Sequence, residues 1–114
     1  MRSSMTAVLE REGITGQKFT TEPYEAAWAG EARWFVRTLD VPESVERVDF
    51  TVQVSPDGLH WCDIDGDKHS IYKTGVVSWT TREFGGWLRL RASVSCANSP
   101  DTTVPALIYL ALKA

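Results

Sequence analysis

Apolar and polar residues alternate strictly in the middle of the chain. Between positions 48 and 55 one parity is apolar, with Val48, Phe50, Val52 and Val54, and the other is polar, with Asp49, Thr51, Gln53 and Ser55. A period of two predicts a β-strand that buries one side and exposes the other. Pro56-Asp57-Gly58 then favours a chain reversal, because proline presets φ, aspartate bonds to nearby backbone and glycine tolerates positive φ. We predict a hairpin whose return strand, His60–Ile64, carries Trp61 into the core.

The same alternation recurs after Gly85-Gly86. Leu88, Leu90, Ala92, Val94 and Cys96 share one parity, and Trp87, Arg89, Arg91, Ser93 and Ser95 share the other. Further strands are predicted at Thr6–Arg11, Ala32–Val41, Ser70–Lys73 and Val76–Thr81, and no stretch keeps a helical apolar stripe. Short strands separated by regularly spaced turn residues are typical of sandwiches. The predicted fold is all-β, an antiparallel β-sandwich of jelly-roll type with about eight strands.

The two ends of the sequence differ from this pattern. A chain of 114 residues is long enough for one hydrophobic core and too short for two, so residues 1–114 are predicted to form a single domain. Residues 1–30 are less regular and are compatible with an extended N-terminal arm. The last run, Val104–Leu112, is apolar in both parities, with Leu107, Tyr109 and Ala111 on the second side. Such a strand needs cover on both faces, either from another subunit or from the N-terminal arm folded back over it.

The charge of the chain argues against two classes of partner. The formal net charge is −3 at pH 7 and the pI is about 5.3, which gives no general attraction to phosphate groups or anionic lipid. The first residues lack the apolar core of a signal peptide, and no apolar run approaches the roughly 18 residues of a membrane span. We therefore predict neither a nucleic-acid nor a membrane partner, and synthesis in the cytosol.

Metal binding is weakly indicated. Cys62 and Cys96 are the only cysteines and form no Cys-x-x-Cys pair, which favours two buried free thiols over a zinc site or a disulfide. Asp63-Ile64-Asp65-Gly66-Asp67 spaces three carboxylates two residues apart, as oxygen ligands of calcium are spaced. Lys68 and Thr74 stand where a calcium loop has its glycine and its bidentate glutamate. We predict a solvated turn between strands and no metal.

Catalysis is equally weakly indicated. His60 and His69 flank the acidic segment, and a metal site or an acid–base pair can be drawn from them. No Gly-x-Ser-x-Gly nucleophile turn occurs, and Gly85-Gly86 lacks the Lys-Ser/Thr of a phosphate-binding loop. We predict that the protein is not an enzyme and has no cofactor.

The sequence contains five tryptophans, a high number for 114 residues. One of them is predicted to lie on the same side of its strand as two arginines. Trp87 shares its parity with Arg89 and Arg91 and is the best candidate for an exposed ring. Exposed rings can stack on sugars, and Trp and Arg are also enriched in subunit contacts; a solvated face is the third alternative. We favour a subunit contact. The interface candidates are Trp87, Arg89, Arg91, Leu107 and Tyr109.

The segment 33–114 resembles small virion structural proteins of tailed bacteriophages, of the head-decoration or minor-tail kind. The landmarks are the strand 34–41, the hairpin motif Ser55-Pro56-Asp57-Gly58 with Trp61, the turn into Trp87-Leu88-Arg89-Leu90-Arg91, and a polar loop at 98–103 before a closing apolar strand. The resemblance implies a structural subunit that forms a trimer or another closed ring and binds a larger capsid or tail protein in the virion. Outside a virion the protein is expected in the cytoplasm.

A second resemblance suggests a different function. Ser-Pro-Asp-Gly-x-x-Trp followed by an aromatic-x-Arg strand is also similar to discoidin-type carbohydrate-binding sandwiches. That resemblance implies an adhesion module that binds glycan through exposed tryptophan rings. Loss of assembly or loss of glycan binding on replacement of Trp87 separates the two hypotheses.

Overall fold

Two antiparallel sheets bury the apolar parity of their strands against each other. The computed structural model describes the backbone of residues 4–96 and 102–114, and the side chains of all of these except residues 65–68. Within these ranges the regular structure is entirely β, and no helix is long and apolar enough to cross a membrane. The strands are β1 (Ser4–Glu10), β2 (Ile14–Thr15), β3 (Phe19–Thr20), β4 (Tyr24–Glu25), β5 (Glu31–Thr38), β6 (Val45–Ser55), β7 (Cys62–Ile71), β8 (Gly75–Arg82), β9 (Trp87–Cys96), β10 (Thr103–Val104) and β11 (Ala106–Lys113).

The order of the strands is that of a jelly roll. The four-stranded sheet has the order β1-β11-β5-β8, and the five-stranded sheet has the order β3-β9-β6-β7, with β4 also paired to β9. Eight strands remain when β3 and β4 are counted as one interrupted strand and the short strands β2 and β10 are left out. In this count the four-stranded sheet has the order first, eighth, third and sixth, and the other sheet holds the remaining four strands. The β2–β10 pair stands apart. The predicted all-β antiparallel sandwich is confirmed.

The N-terminal segment is part of both sheets and is not a free arm. β1 pairs with β11 at the edge of the four-stranded sheet, while β3 and β4 pair with β9. Thr21 joins the two short strands, because its amide donates to the Leu90 carbonyl and its hydroxyl accepts from the Leu90 amide at 3.0 Å. The extended arm that the sequence allowed is therefore absent over residues 4–30.

Aromatic rings connect the two sheets in the core. Trp79 of the four-stranded sheet lies 6.3 Å from the ring of Trp34, its neighbour on β5, and 6.0 Å from Phe50 on the opposite sheet. His69, also from the opposite sheet, stacks on Trp79 with its ring centroid 4.1 Å away. The buried indole of Trp34 donates to Thr81 Oγ1 at 3.0 Å, so its one polar atom is satisfied.

The return strand of the predicted hairpin is longer than expected. β7 runs from Cys62 to Ile71 and contains a bulge: Thr51 pairs with Lys68 and Gln53 with Asp63, so residues 64–67 of β7 face the single residue Val52 of β6. The acidic segment 63–67 therefore does not separate two strands, as predicted, but lies within β7, where Asp63 pairs with Gln53 and residues 64–67 form the bulge. Such extra residues are left unpaired and disrupt the ladder locally, and pairing resumes on both sides of them.

Two core predictions at the start of β7 are wrong. Trp61 is half-buried outside the core, and Cys62 is exposed, with Sγ 3.8 Å from the Val54 carbonyl oxygen. Cys96 is half-buried and accepts from Thr102 Oγ1 at 3.4 Å. Cys62 and Cys96 do not form a disulfide. The alternation that identified Cys96 as inward-facing does not extend to Cys62, which stands where the hairpin leaves the sheet.

One glycine has no room for a side chain and can be tested against one that has. A Cβ on Gly86 would collide with the carbonyl oxygen of Ser55, whereas a Cβ on Gly75 meets nothing within 4 Å. Gly86→Ala is expected to lower the free energy of unfolding by about 1–3 kcal/mol. Gly75→Ala should leave it unchanged or raise it by up to about 1 kcal/mol, since Ala restricts the unfolded chain. Urea unfolding followed by tryptophan fluorescence measures both, and equal stabilities would contradict this packing.

Candidate functional site

The polar parity of β9 lies on the outer face of the five-stranded sheet. There Arg89 donates from Nε to Gln53 Oε1 at 2.7 Å, and Gln53 Nε2 donates to Asp63 Oδ1 at 2.8 Å. The Arg89 guanidinium also lies 4.3 Å from the ring centroid of Trp61, a cation–π contact. Burial, together with nearby Arg91, lowers the pKa of Arg89. The network covers Gln53, which is buried although it has the outward parity.

Trp87 is not the exposed ring that the sequence suggested. Its side chain is half-buried beneath the hairpin turn, where a methyl group on Gly58 would lie 3.1 Å from Cδ2 of the indole. Gly58 has φ of 80°, a conformation that glycine adopts without strain. Trp28, in the segment between β4 and β5, is more exposed, at 41%. Trp87 lies on the outer side of the sheet, as its position in the alternation predicted, but the hairpin turn folds back over the indole ring and covers it.

The hairpin turn is fixed by one carboxylate. Asp57 Oδ1 accepts from the amides of His60 at 2.9 Å and Leu59 at 2.8 Å, and Asp57 Oδ2 lies 2.7 Å from His60 Nδ1. Ser55 Oγ adds bonds to Asp57 and to the Gly58 amide. Hydrogen bonds from the His60 amide and ring, and from the Leu59 amide, hold the pKa of Asp57 well below its usual range.

A polar trough crosses the outer face of the five-stranded sheet beside this network. It consists of two adjoining hollows of about 210 and 400 Å³ that share Asp49 and Thr51 of β6. Strand register places Asp49 between Ser93 of β9 and Ser70 of β7, and places Thr51 opposite Arg91. The remaining lining residues are Gln17, Arg47, Asp63, Tyr72 and Ala92. We refer to these two hollows as the trough.

The outer face of the four-stranded sheet has a different character. Register aligns Val8, Tyr109 and Phe35 in one row across β1, β11 and β5, with Ser78 of β8 at its end. Leu107 lies in a second row that continues through Arg37 to Val76. Val8 and Val76 are 40% and 61% exposed, while the three larger apolar residues are half-buried. We refer to this surface as the apolar face.

The five interface candidates do not form one surface. Trp87, Arg89 and Arg91 belong to β9 of the five-stranded sheet, whereas Leu107 and Tyr109 belong to β11 of the other sheet. In both strands the alternate residues point into the core, so the candidates lie on opposite sides of the sandwich. A single contact around Trp87, Leu107 and Tyr109 is therefore excluded, and two surfaces must be considered separately.

The two histidines are also apart. His60 is exposed in the hairpin turn, while His69 is half-buried against Trp79 near the far end of β7. From Cys62 onward the segment between them belongs to β7 and includes its bulge. The side chains of Asp65 and Asp67 lie outside the described residues, so the calcium hypothesis is not tested by them. Among the side chains that are described, no group of three or more His, Cys, Asp or Glu is arranged to hold a metal ion.

Several residues of the apolar face were not identified from the sequence. Phe35, Arg33 and Arg37 alternate with the buried residues of β5, and this pattern can be read from the sequence as clearly as that of β9. Val8 and Val76 could not have been placed there, because only the pairing of distant strands brings them beside Tyr109 and Leu107. The polar residues Asp49 and Thr51 had been assigned correctly to the outer face.

Comparisons with known proteins identify the fold but no family. No protein-family model matches the sequence, and no curated protein is significantly similar to it. The structure of the SPBc2 prophage-derived protein YomS has a TM-score of 0.67 at 8% identity and covers 100% of this chain and 96% of its own. The PBSX exported protein XepA also has a TM-score of 0.67, at 6% identity, over 95% of this chain and 36% of XepA.

A protein of a subviral particle is similar as well. VP2 of the infectious bursal disease virus subviral particle has a TM-score of 0.58 at 11% identity, over 98% of this chain and 32% of VP2. The chain thus spans about a third of XepA and of VP2. At these identities the similarity shows the fold alone. The resemblance to phage proteins that the sequence suggested is confirmed at that level, since similar structures include prophage-derived β-sandwiches.

The bonds to Asp57 predict a loss of stability in acid. Because the pKa of Asp57 is lower in the folded chain than in the unfolded chain, where it is about 3.9, the carboxylate stabilises the fold above that pH. The stabilisation is lost as the pH falls from there toward the lowered folded-state value. Thermal unfolding of Asp57→Asn should therefore show a smaller decrease in melting temperature between neutral pH and pH about 3 than the wild type.

The matched control is an exposed aspartate outside the hairpin turn. Asp40 is exposed in the segment between β5 and β6, and Asp40→Asn should keep the wild-type acid dependence. Equal acid dependence of the wild type and Asp57→Asn would show that the bonds at the turn do not contribute.

Proposed function

We propose that the protein is a non-enzymatic structural subunit of a phage-like particle that associates with copies of itself through the apolar face. The observation that carries this proposal is the row of Val8, Tyr109 and Phe35 on the outer side of the four-stranded sheet. An outer sheet face in water normally carries polar residues. Contiguous apolar residues on such a face mark an interaction surface.

The arrangement of β1 supports cover from another subunit. The sequence left two ways to cover the second side of β11, another subunit or the N-terminal segment. β1 lies beside β11 in the plane of the sheet, with Val8 directly opposite Tyr109. It adds a strand to the sheet but does not cover the outer side of β11. Tyr109, Leu107 and Ala111 consequently remain half-exposed and available to a partner.

Charge favours a second copy as that partner. The outer side of β5, β8 and β11 carries four cations, Arg33, Arg37, Arg82 and Lys113, and one carboxylate, Glu31, so the apolar face is net cationic although the chain as a whole has 15 acidic and 12 basic residues. Exposed carboxylates, including Glu22 and Glu25, lie beside and on β4, which belongs to the other sheet. The cationic face of one copy is thus complementary to the acidic β4 edge of the next. Such a head-to-tail contact closes into a ring when its rotation permits, as in the trimer or other closed ring expected from the sequence.

The size of the face is compatible with a specific contact. Four strands spaced about 4.8 Å apart and about eight residues long cover roughly 500 Å² in the plane of the sheet. A standard interface buries about 800 Å² of accessible surface on each partner, which a side-chain-covered sheet and its rim can approach. A ring, and a larger capsid or tail protein beneath it in a virion, would repeat this modest contact many times.

The oligomeric state in solution tests the proposal. Light scattering coupled to size exclusion should give the mass of a closed ring for the wild type. Arg37→Glu places a carboxylate on the cationic face and should weaken association at least tenfold, as should Phe35→Thr, which removes an aromatic ring and keeps strand propensity. High salt should shift the equilibrium toward the monomer.

Arg91→Glu is the matched control because it makes the same charge change on the outer face of the other sheet. It should leave the measured mass unchanged. A monomeric wild type at protein concentrations up to about 100 µM would contradict the proposal. So would dissociation by Arg91→Glu with no effect of Arg37→Glu, which would place the contact on the five-stranded sheet.

A further inference from the structure

We propose that the trough on the five-stranded sheet binds a neutral oligosaccharide. The trough lies on the opposite side of the sandwich from the apolar face, and its lining is polar across three neighbouring strands, β9, β6 and β7. The inference therefore stands independently of self-association. Its basis is the shape of the trough, the chemistry of its walls and their rigid support.

Short side chains form the floor of the trough. Thr51, Ser70 and Ser93 lie in two adjacent rows of the sheet, and they alternate with longer residues along and across the strands. The longer side chains of Arg47, Arg91, Asp63 and Tyr72 form the walls. With strands about 4.8 Å apart, the trough extends about 10 Å across the sheet. An extended polar chain of linked rings fits such a shape better than a compact ligand.

The walls offer both hydrogen-bond donors and acceptors. Arg91 is exposed, and its guanidinium forms no ion pair with any described residue. It presents five N–H donors in a planar fork. Asp63 uses Oδ1 to accept from Gln53, and the described residues contribute no bond to its Oδ2. A sugar hydroxyl both donates and accepts hydrogen bonds. Two adjacent hydroxyl groups can therefore donate to a carboxylate and accept from a guanidinium that line the same hollow.

The walls are also held in place before any ligand arrives. Asp63 is fixed by Gln53, and Gln53 is fixed in turn by Arg89, whose guanidinium rests on Trp61. On the other side Asp49 Oδ2 accepts from Arg47 Nε at 2.9 Å and Asp49 Oδ1 accepts from Ser70 at 2.6 Å. Side chains that are already ordered lose less entropy on binding. Arg89 and Trp61 are thus positioning residues for the trough.

An aromatic ring stands at one end of the trough. Tyr72 is 68% exposed and lines the larger hollow together with Arg47 and Ser70. An exposed phenol ring offers an apolar face for the C–H side of a sugar and a hydroxyl for its polar edge. The combination of a stacking face with paired donors and acceptors is that of a polyhydroxylated ligand.

The charges select a neutral ligand over an acidic one. The described lining carries two guanidinium groups, Arg47 and Arg91, and two carboxylates, Asp49 and Asp63. Both carboxylates line the same hollow as Arg91, so an anion near Arg91 also approaches carboxylates. Phosphate groups and uronic acids are disfavoured by that repulsion. Nucleic acid is disfavoured also by the acidic balance of the whole chain.

Backbone amide NMR during titration tests the inference with the full chain. The probes are neutral hexasaccharides of glucose, xylose, mannose and N-acetylglucosamine, added to about 10 mM, with an oligogalacturonate as the acidic comparison. At least one neutral probe should give saturable shifts confined to β6, β7 and β9 around the trough. Arg91→Met and Asp63→Asn should each weaken that binding about tenfold, since each removes charged hydrogen bonds while keeping side-chain volume.

Arg11→Met is the matched control, because Arg11 is exposed in the segment between β1 and β2, outside the trough and the apolar face, and this variant should bind the probe as the wild type does. The inference is overturned if no neutral probe gives saturable shifts, if the acidic probe binds more tightly, or if both trough variants bind like the wild type. Oligomer mass is measured separately, so a ring that binds no sugar refutes only this inference, and a monomer that binds sugar refutes only self-association.

Discussion

A sandwich of two layers can bury only one side of each sheet, and this constraint determines most of what the molecule presents to its surroundings. The apolar parity of β5, β6, β9 and β11 fills the space between the sheets. Each outer side must then be satisfied by water, by its own side chains or by a partner. The two sheets differ in how the side chains of their outer sides are satisfied. On the five-stranded sheet a network of Arg89, Gln53 and Asp63 satisfies polar groups internally, whereas the four-stranded sheet retains apolar residues that no described part of the chain covers.

Aromatic rings from both layers meet at one residue of the core. Trp79 touches rings from its own sheet and from the opposite sheet, and His69 lies parallel to it. Its indole nitrogen is buried and has no hydrogen-bond partner among the described residues. The packing of large rings across the interface outweighs the cost of that one donor, which is about 1–3 kcal/mol. Trp34 avoids the same cost through Thr81.

Local alternation in the sequence was sufficient to predict the fold class, because a period of two depends only on neighbouring residues. The strands around Phe50, Leu90 and Trp34 were all placed correctly within a few residues. Side-chain exposure was predicted less well where distant segments meet. Trp87 was expected to be exposed and is covered by the hairpin turn, while Trp61 was expected in the core and lies outside it beneath Arg89. The composition of the two outer faces depends on which strands are neighbours, and pairings such as β1 with β11 leave no local signal.

The pairing of β1 with β11 has a consequence for the order of events during synthesis. Ser4 pairs with Lys113, so the earliest described strand finds its partner only in the last one. A ribosome releases β1 long before β11, and until then β1 has no neighbour in its sheet. Val8 and Tyr109 therefore cannot come together before β11 has been made. The row of Val8, Tyr109 and Phe35 cannot form before β11 has been made, and a chain truncated before β11 cannot form it at all.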